Sequence, residues 1–120
     1  MIVVDASAVV DRLLRGQGFD DDLVAPDLMP VECASAFARL ERGGLLERVH
    51  ADACVAAVRD LPVTLMSDRT LLPAAWSMRS SVAIADAFYV ACALATGVPL
   101  LTHDRRLARS AERLGVVVQS

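Results

Sequence analysis

The chain has 120 residues, 55% of them hydrophobic, and a formal net charge of −3. That is the length of one domain, residues 1–120, with room for a real core. No apolar run approaches the ~20 residues of a membrane span, and the acidic balance does not by itself advertise nucleic acid.

The chain opens M-I-V-V-D-A-S-A-V-V-D-R. Ile2–Val4 is a β-branched run without polar alternation, which suits a strand buried on both faces. It stops at Asp5, and Val9, Val10, Leu13 and Leu14 follow at helical spacing. Asp5 then lies at the C-terminal end of a central strand, where open α/β sheets place their ligands. An Asp there also suits the N-cap of the following helix, and both readings stand at this point.

Gly16-Gln17-Gly18 and Asp20-Asp21-Asp22 read as a connection with at most one helical turn. The three acids lack the ligand spacing and closing Glu of an EF-hand and read as a solvated turn. Leu23–Ala25 is a short strand ended by Pro26. Pro30 opens a helix to about Arg42, with Val31, Ala34, Phe37, Ala38 and Leu40 inward and Gly43-Gly44 as its stop. Glu32 then falls in the first turn, where the helix dipole favours its ionised form.

Leu45–Asp60 reads as a further helix with Val49, Val55 and Val58 on one side. His50 reads as a surface or capping residue. Val63–Met66 is a strand, and Ser67 or Asp68 caps a helix whose Leu71, Leu72, Trp76 and Met78 face the core or an interface. Ser80 and Ser81 break it. Ala83–Leu94 is apolar nearly all round and ends at Gly97, so it is expected buried against the sheet. Asp86 in its first turn needs a partner or a cation. Val98–Thr102 is a strand ending at His103-Asp104, Arg105–Arg113 a basic helix, and Val116–Val118 a last strand. The alternation predicts an α/β fold, a mostly parallel sheet of about four to five strands flanked by helices.

Four acids share one pattern. Asp5 and Asp104 end strands, and Glu32 and Asp86 begin helices. In parallel α/β units strand C-termini and helix N-termini lie on one edge, so these carboxylates are expected to converge. Converged carboxylates repel in a partly dry cleft, and a divalent cation relieves them. A set of hard oxygen donors suits Mg²⁺ or Mn²⁺ rather than zinc. Such ions serve phosphodiester hydrolysis. Ser7 and Thr102 stand where they can orient the acids from behind.

D-A-S-A after the first strand, P-x-x-x-P-V-E, I-A-D-A-x-Y-V-A-x-A and L-L-T-x-D-x-x-L resemble the PIN-domain nucleases, and within them the VapC toxins of toxin–antitoxin pairs. The resemblance covers essentially the whole chain. It implies a metal-dependent endoribonuclease, homodimeric, held inactive by a cognate VapB-type antitoxin. The family's acidic quartet falls on Asp5, Glu32, Asp86 and Asp104, and its hydroxyl positions fall on Ser7 and Thr102.

Two departures stand out. The segment between the first helix and the second strand is short for the family. Ala83 stands where the family carries a Ser or Thr cap, and Ser81 is expected to cap a shifted helix start instead. Both bear on substrate fit and antitoxin geometry; neither removes an acid.

All twelve basic residues are Arg, whose fork matches phosphate. Arg12, Arg15, Arg39, Arg42, Arg79, Arg105 and Arg106 are candidate RNA phosphate contacts, with Arg105 and Arg106 nearest in sequence to a site acid. His103 is expected to point away from Asp104. The absence of Lys excludes haloacid-dehalogenase-like phosphatases and receiver domains, which rely on one. The absence of a Gly-rich first turn excludes dinucleotide binding. A non-catalytic RNA- or partner-binding module on the same fold is the competing class.

The odd count of dispersed cysteines, Cys33, Cys54 and Cys92, predicts reduced core thiols. The opening lacks a basic segment and a long apolar run, so no signal peptide and a cytoplasmic protein are expected. The apolar fraction exceeds what a small domain buries, so an apolar patch for self-association or a partner is expected.

Overall fold

A computed structural model describes residues 1–120. The chain runs β1 (Ile2–Val4), α1 (Ala6–Leu14), β2 (Leu23–Pro26), α2 (Leu28–Arg42), α3 (Arg48–Asp60), β3 (Val63–Met66), α4 (Asp68–Ser77), α5 (Ile84–Thr96), β4 (Leu100–Leu101), α6 (Arg105–Arg113) and β5 (Val118–Gln119). The five strands form one sheet in the order β3-β2-β1-β4-β5, and every pairing is parallel.

The first strand is central because nothing in it is polar. Ile2, Val3 and Val4 are fully buried, and Val3 registers with Val24 on one side and Leu100 on the other. Strands are added on the β2 side, then on the β4 side. The sheet therefore changes direction between β1 and β4, and a crevice opens there beyond the strand ends. Asp5 follows β1 and Asp104 follows β4, so the order of strands alone sets both acids beside that crevice.

Helix α5 is the buried helix the composition predicts. Ala87 and Tyr89–Ala93 are buried, and the helix packs on β1, β2 and β4 with α4 alongside. It ends where Gly97 turns left-handed at φ 69°, a conformation that costs a residue with a Cβ about 1 kcal/mol or more. Helices α1, α2 and α3 pack on one another. The right-handed crossover puts them on the face opposite α5 and α6.

The helix faces depart from expectation. Helix α2 starts at Leu28, before Pro30, and buries Met29, Cys33 and Phe37, while Val31 and Ala34 are exposed. Helix α3 starts at Arg48 and buries Ala51, Cys54 and Val58, while Val49 and Val55 are exposed. Both helices carry apolar residues on more than one face, so composition leaves the phase open; on α2 the face with the large Met29 and Phe37 is the one packed inward. On α4, Leu71 and Ala75 are buried, whereas Leu72 and Trp76 are exposed and Arg79 stacks on Trp76 at 4.3 Å.

Residues 15–22 contain no helical turn. The last strand is displaced to Val118–Gln119, with Val116 buried just before it. The three cysteines are free and buried, as expected. No helix is long and apolar enough to cross a membrane.

Candidate active site

Asp5 serves both readings of its position. It caps α1, with Oδ1 accepting from the Ala8 N–H at 3.0 Å, and it lines the cleft at the strand ends. Ser7 Oγ donates to it at 2.8 Å and Thr102 Oγ1 donates to Oδ2 at 2.5 Å. The same two hydroxyl oxygens accept main-chain N–H groups, Ser7 from His103 at 3.0 Å and Thr102 from Asp104 at 3.0 Å. The hydroxyls therefore stitch the end of β1 to the end of β4. Asp5 is only 3% exposed. Burial raises its pKa against the three hydrogen bonds that favour the carboxylate, and Asp104 adds repulsion.

Asp104 caps α6, its Oδ1 accepting from Arg106 N at 2.9 Å and Leu107 N at 3.3 Å. Asp86 lies in the first turn of α5, whose N-cap Ala83 offers no side-chain bond; Ser81 does not cap in its place. Asp86 is pushed up to about 6 by burial first, then by Asp104, Glu32 and Asp5, with Arg106 partly offsetting them.

Glu32 is placed differently from expectation. Because α2 begins at Leu28, Glu32 is beyond the first turn, which holds no acid. The dipole is therefore not what holds it. Tyr89 does: its hydroxyl donates to Glu32 Oε1 at 2.6 Å. Burial still raises the Glu32 pKa, opposed by this bond and reinforced by Asp5 and Asp68.

The four acids predicted to converge all line one cleft of about 440 Å³, and so does Ser7. Within it, no three His, Cys, Asp or Glu side chains close into a set arranged for an ion. Three of the acids are held by hydrogen bonds, Asp5 by the hydroxyls, Asp104 by the start of α6 and Glu32 by Tyr89, and Asp86 by none. Asp86 rising to about 6 is the measure of burial and of repulsion by the other acids together. The donor set is all oxygen, the chemistry that a hard divalent cation takes.

Arg39 lines the cleft, with Ser35, and Arg105 and Arg106 do not. Arg106 is nonetheless near enough to Asp86 to favour its ionised form. His103 points away from Asp104 as expected, and its Nδ1 meets Asp11 Oδ2 at 2.9 Å. Tyr89 was missed as a site residue. The available signal was a phenol in a buried apolar helix, one turn beyond Asp86, since a buried Tyr hydroxyl requires a partner.

Residues 2–113 match the family model described as "PIN domain". The chain belongs to the PIN-domain family. Ribonuclease VapC3 of Mycobacterium tuberculosis is 38% identical over 118 residues, covering 91% of this chain and 86% of that protein. Ribonuclease VapC1 of the same organism is 38% identical over 120 residues, covering 88% and 87%. Among solved structures, PAE2754 from Pyrobaculum aerophilum superposes with a TM-score of 0.67 at 22% identity, over 98% of this chain and 82% of that one. This last likeness is one of fold. The PIN domain here is thus of the VapC type, with its acids at the strand and helix ends that the sheet topology brings together.

Proposed function

We propose that this PIN domain, acting as one unit over residues 1–120, is an endoribonuclease that hydrolyses RNA phosphodiester bonds as the toxin of a toxin–antitoxin pair. The observation that carries the reading is the meeting of Asp5, Glu32, Asp86 and Asp104 in one cleft, together with the rise of Asp86 to about 6. Four mutually repelling acids are a cost that a pure binding module has no reason to bear. The VapC relatives are named ribonucleases.

In this reading Asp5, Asp86, Asp104 and Glu32 hold Mg²⁺ or Mn²⁺. When bound, such an ion polarises the scissile phosphate and lowers the pKa of a water. The chain's own groups do the rest. Thr102 and Ser7 fix Asp5 in one orientation through their hydroxyl protons. Tyr89 occupies Oε1 of Glu32, which leaves Oε2 as the oxygen for the ion or for a proton of the attacking water. Asp104 keeps its second oxygen for the cleft while the first caps α6. A homodimer, a VapB-type antitoxin partner and a cytoplasmic setting complete the proposal.

The test is cleavage of total RNA by the purified protein with Mg²⁺, Mn²⁺ or EDTA, alongside Asp5→Asn and Asp86→Asn variants whose fold is verified by circular dichroism. Cleavage in Mg²⁺ or Mn²⁺ that EDTA and either substitution abolish is expected. Cleavage that persists in the variants, or that requires zinc, rejects the mechanism.

A further inference from the structure

Of the twelve arginines, Arg39 alone lines the acidic cleft. Several others are engaged elsewhere. Arg15 pairs with Asp11, Arg48 with Asp52 and Arg59 with Asp60. Arg12 stacks on Phe19 and Arg79 on Trp76. Arg39 takes part in no ion pair and no side-chain hydrogen bond, although four carboxylates share its cleft. Ser35 is one turn before it on α2, lines the same cleft, and its hydroxyl is equally uncommitted. Residues at i and i+4 are neighbours on a helix surface. A free hydroxyl and a free guanidinium therefore sit side by side on the wall of a negative cleft.

Glu32, Ser35 and Arg39 form one stripe along α2. Arg39 stands about 10 Å beyond Glu32 along the helix axis at 1.5 Å per residue, and a long helical side chain leans back toward the N-terminus. The Ser35–Arg39 pair thus lies about one to two turns along α2 from Glu32. That is displaced from the atoms being cut, yet within the same cleft. A planar fork of N–H donors and a hydroxyl suit a phosphodiester oxygen pair.

We infer that Ser35 and Arg39 form a phosphate subsite that binds a backbone phosphate next to the one hydrolysed. This rests on the RNA-cleaving reading of the acids and adds to it a requirement on the substrate. A single-stranded RNA with at least one further phosphate along α2 is bound better than a lone phosphodiester. Arg39 is then a substrate-positioning residue, and it supplies positive charge where the acids would repel the strand.

The experiment compares the intact protein with Arg39→Gln, Arg39→Lys and Ser35→Ala, and with Arg48→Gln on exposed α3 as a charge-matched control. Two measurements are made. The first is cleavage in Mn²⁺ of a 12-nucleotide RNA and of a dinucleoside monophosphate. Arg39→Gln is expected to lose about ten-fold in kcat/KM on the 12-mer, mostly through KM, the size of one charge-assisted hydrogen bond. The loss shrinks to less than two-fold on the dinucleoside monophosphate. Arg39→Lys and Ser35→Ala fall between, and Arg48→Gln matches the intact protein.

The second measurement is fluorescence anisotropy of the labelled 12-mer in EDTA over a KCl series. Loss of one phosphate contact lowers the slope of log K against log salt by about 0.7 in Arg39→Gln. Equal losses on both substrates, an unaltered 12-mer rate, an unaltered slope, or no 12-mer binding by the intact protein overturns the subsite. If no protein cleaves RNA, the catalytic reading fails, and the anisotropy series still decides whether Arg39 binds a phosphate.

Discussion

Tyr89 on α5 donates its hydroxyl proton to Glu32 on α2 at 2.6 Å. This bond crosses from the helix layer containing α5 to the layer containing α2, passing the end of the sheet. Tyr89 is itself 1% exposed, and burial first, then its bond to the Glu32 carboxylate, raises the pKa of its phenol well above the ordinary range. The phenol is therefore a permanent donor, and Glu32 has one oxygen permanently engaged.

Tyr89→Phe is expected to retain the fold and lose about ten-fold in kcat, as one hydrogen bond to a charged group is removed. The bond lowers the Glu32 pKa, so its removal raises that pKa, and the acid limb of the pH–rate profile moves to higher pH. The profile distinguishes this role from simple packing, which would lower the rate without moving the limb. An unshifted limb rejects Glu32 as the titrating partner.

Asp86 gives a stability prediction of opposite sign to its catalytic one. Its pKa is about 6 in the folded chain against an ordinary 3.8. The folded state therefore binds the proton more tightly, and this favours folding below about pH 4. The contribution is lost as the pH rises through 6, so the metal-free protein carries the full penalty at pH 7. Two units correspond to about 3 kcal/mol. Screening at a half-exposed site and the loss of a favourable first-turn charge reduce the expected gain of Asp86→Asn to about 1 kcal/mol. Urea unfolding in EDTA should show the variant inactive and more stable at pH 7, with the advantage gone at pH 4. A variant less stable than the parent at pH 7 contradicts the assigned electrostatics.

Removal of the metal follows from the same balance. A cation that binds only the folded state stabilises it by mass action. Mn²⁺ is expected to raise the melting temperature of the parent in a concentration-dependent manner, EDTA to reverse this, and Asp86→Asn to blunt it. Equal shifts in parent and variant would place the ion elsewhere.

The hydroxyls behind Asp5 are expected to matter more than their size suggests. Thr102→Val strips a donor from a buried carboxylate and an acceptor from the Asp104 N–H, a loss of about 2 kcal/mol. Ser7→Ala removes the analogous pair at Asp5 and His103, at a more exposed position, with a smaller loss. Both hydrogen bonds lower the Asp5 pKa, so each variant raises it further. Chemical denaturation ranks the two, and Thr102→Val unfolding at the parental midpoint would refute the network.

What could be read without coordinates was whatever depended on position within one element. Ile2–Val4 declared itself a central strand by lacking alternation, and Asp5, Asp104 and Asp86 stand at the strand ends and helix start that the pattern predicts, whereas Glu32 lies beyond the first turn of α2. What could not be read depended on pairing across elements. Tyr89 and Glu32 are 57 residues apart, and neither signals the other. Arg105 and Arg106 adjoin Asp104 in sequence, yet neither lines the cleft. Arg39 enters the cleft wall because α2 runs along it. Val31 and Val55 are exposed while Cys33 and Cys54 are buried, because apolarity on several faces leaves the phase of a helix open and only packing chooses it.

The uncapped start of α5 yields the last prediction. Ala83 is the N-cap, with φ −56° and ψ 143°, and no side chain accepts from the first turn. The helix has begun there, since the Ala83 carbonyl already accepts from Ala87 N at 2.9 Å. The backbone is thus in the conformation that a capping Ser adopts, and Ala83 is exposed, so an added hydroxyl needs no burial. Ala83→Ser should satisfy the N–H of Ala85 or Asp86 and stabilise the fold by about 1 kcal/mol. The urea midpoint should rise with the slope unchanged, as expected for a change in stability alone. An unmoved midpoint would mean that water already satisfies these N–H groups as well as a hydroxyl does. The first turn of the helix that presents Asp86 would then owe its order to packing on the sheet rather than to its own end.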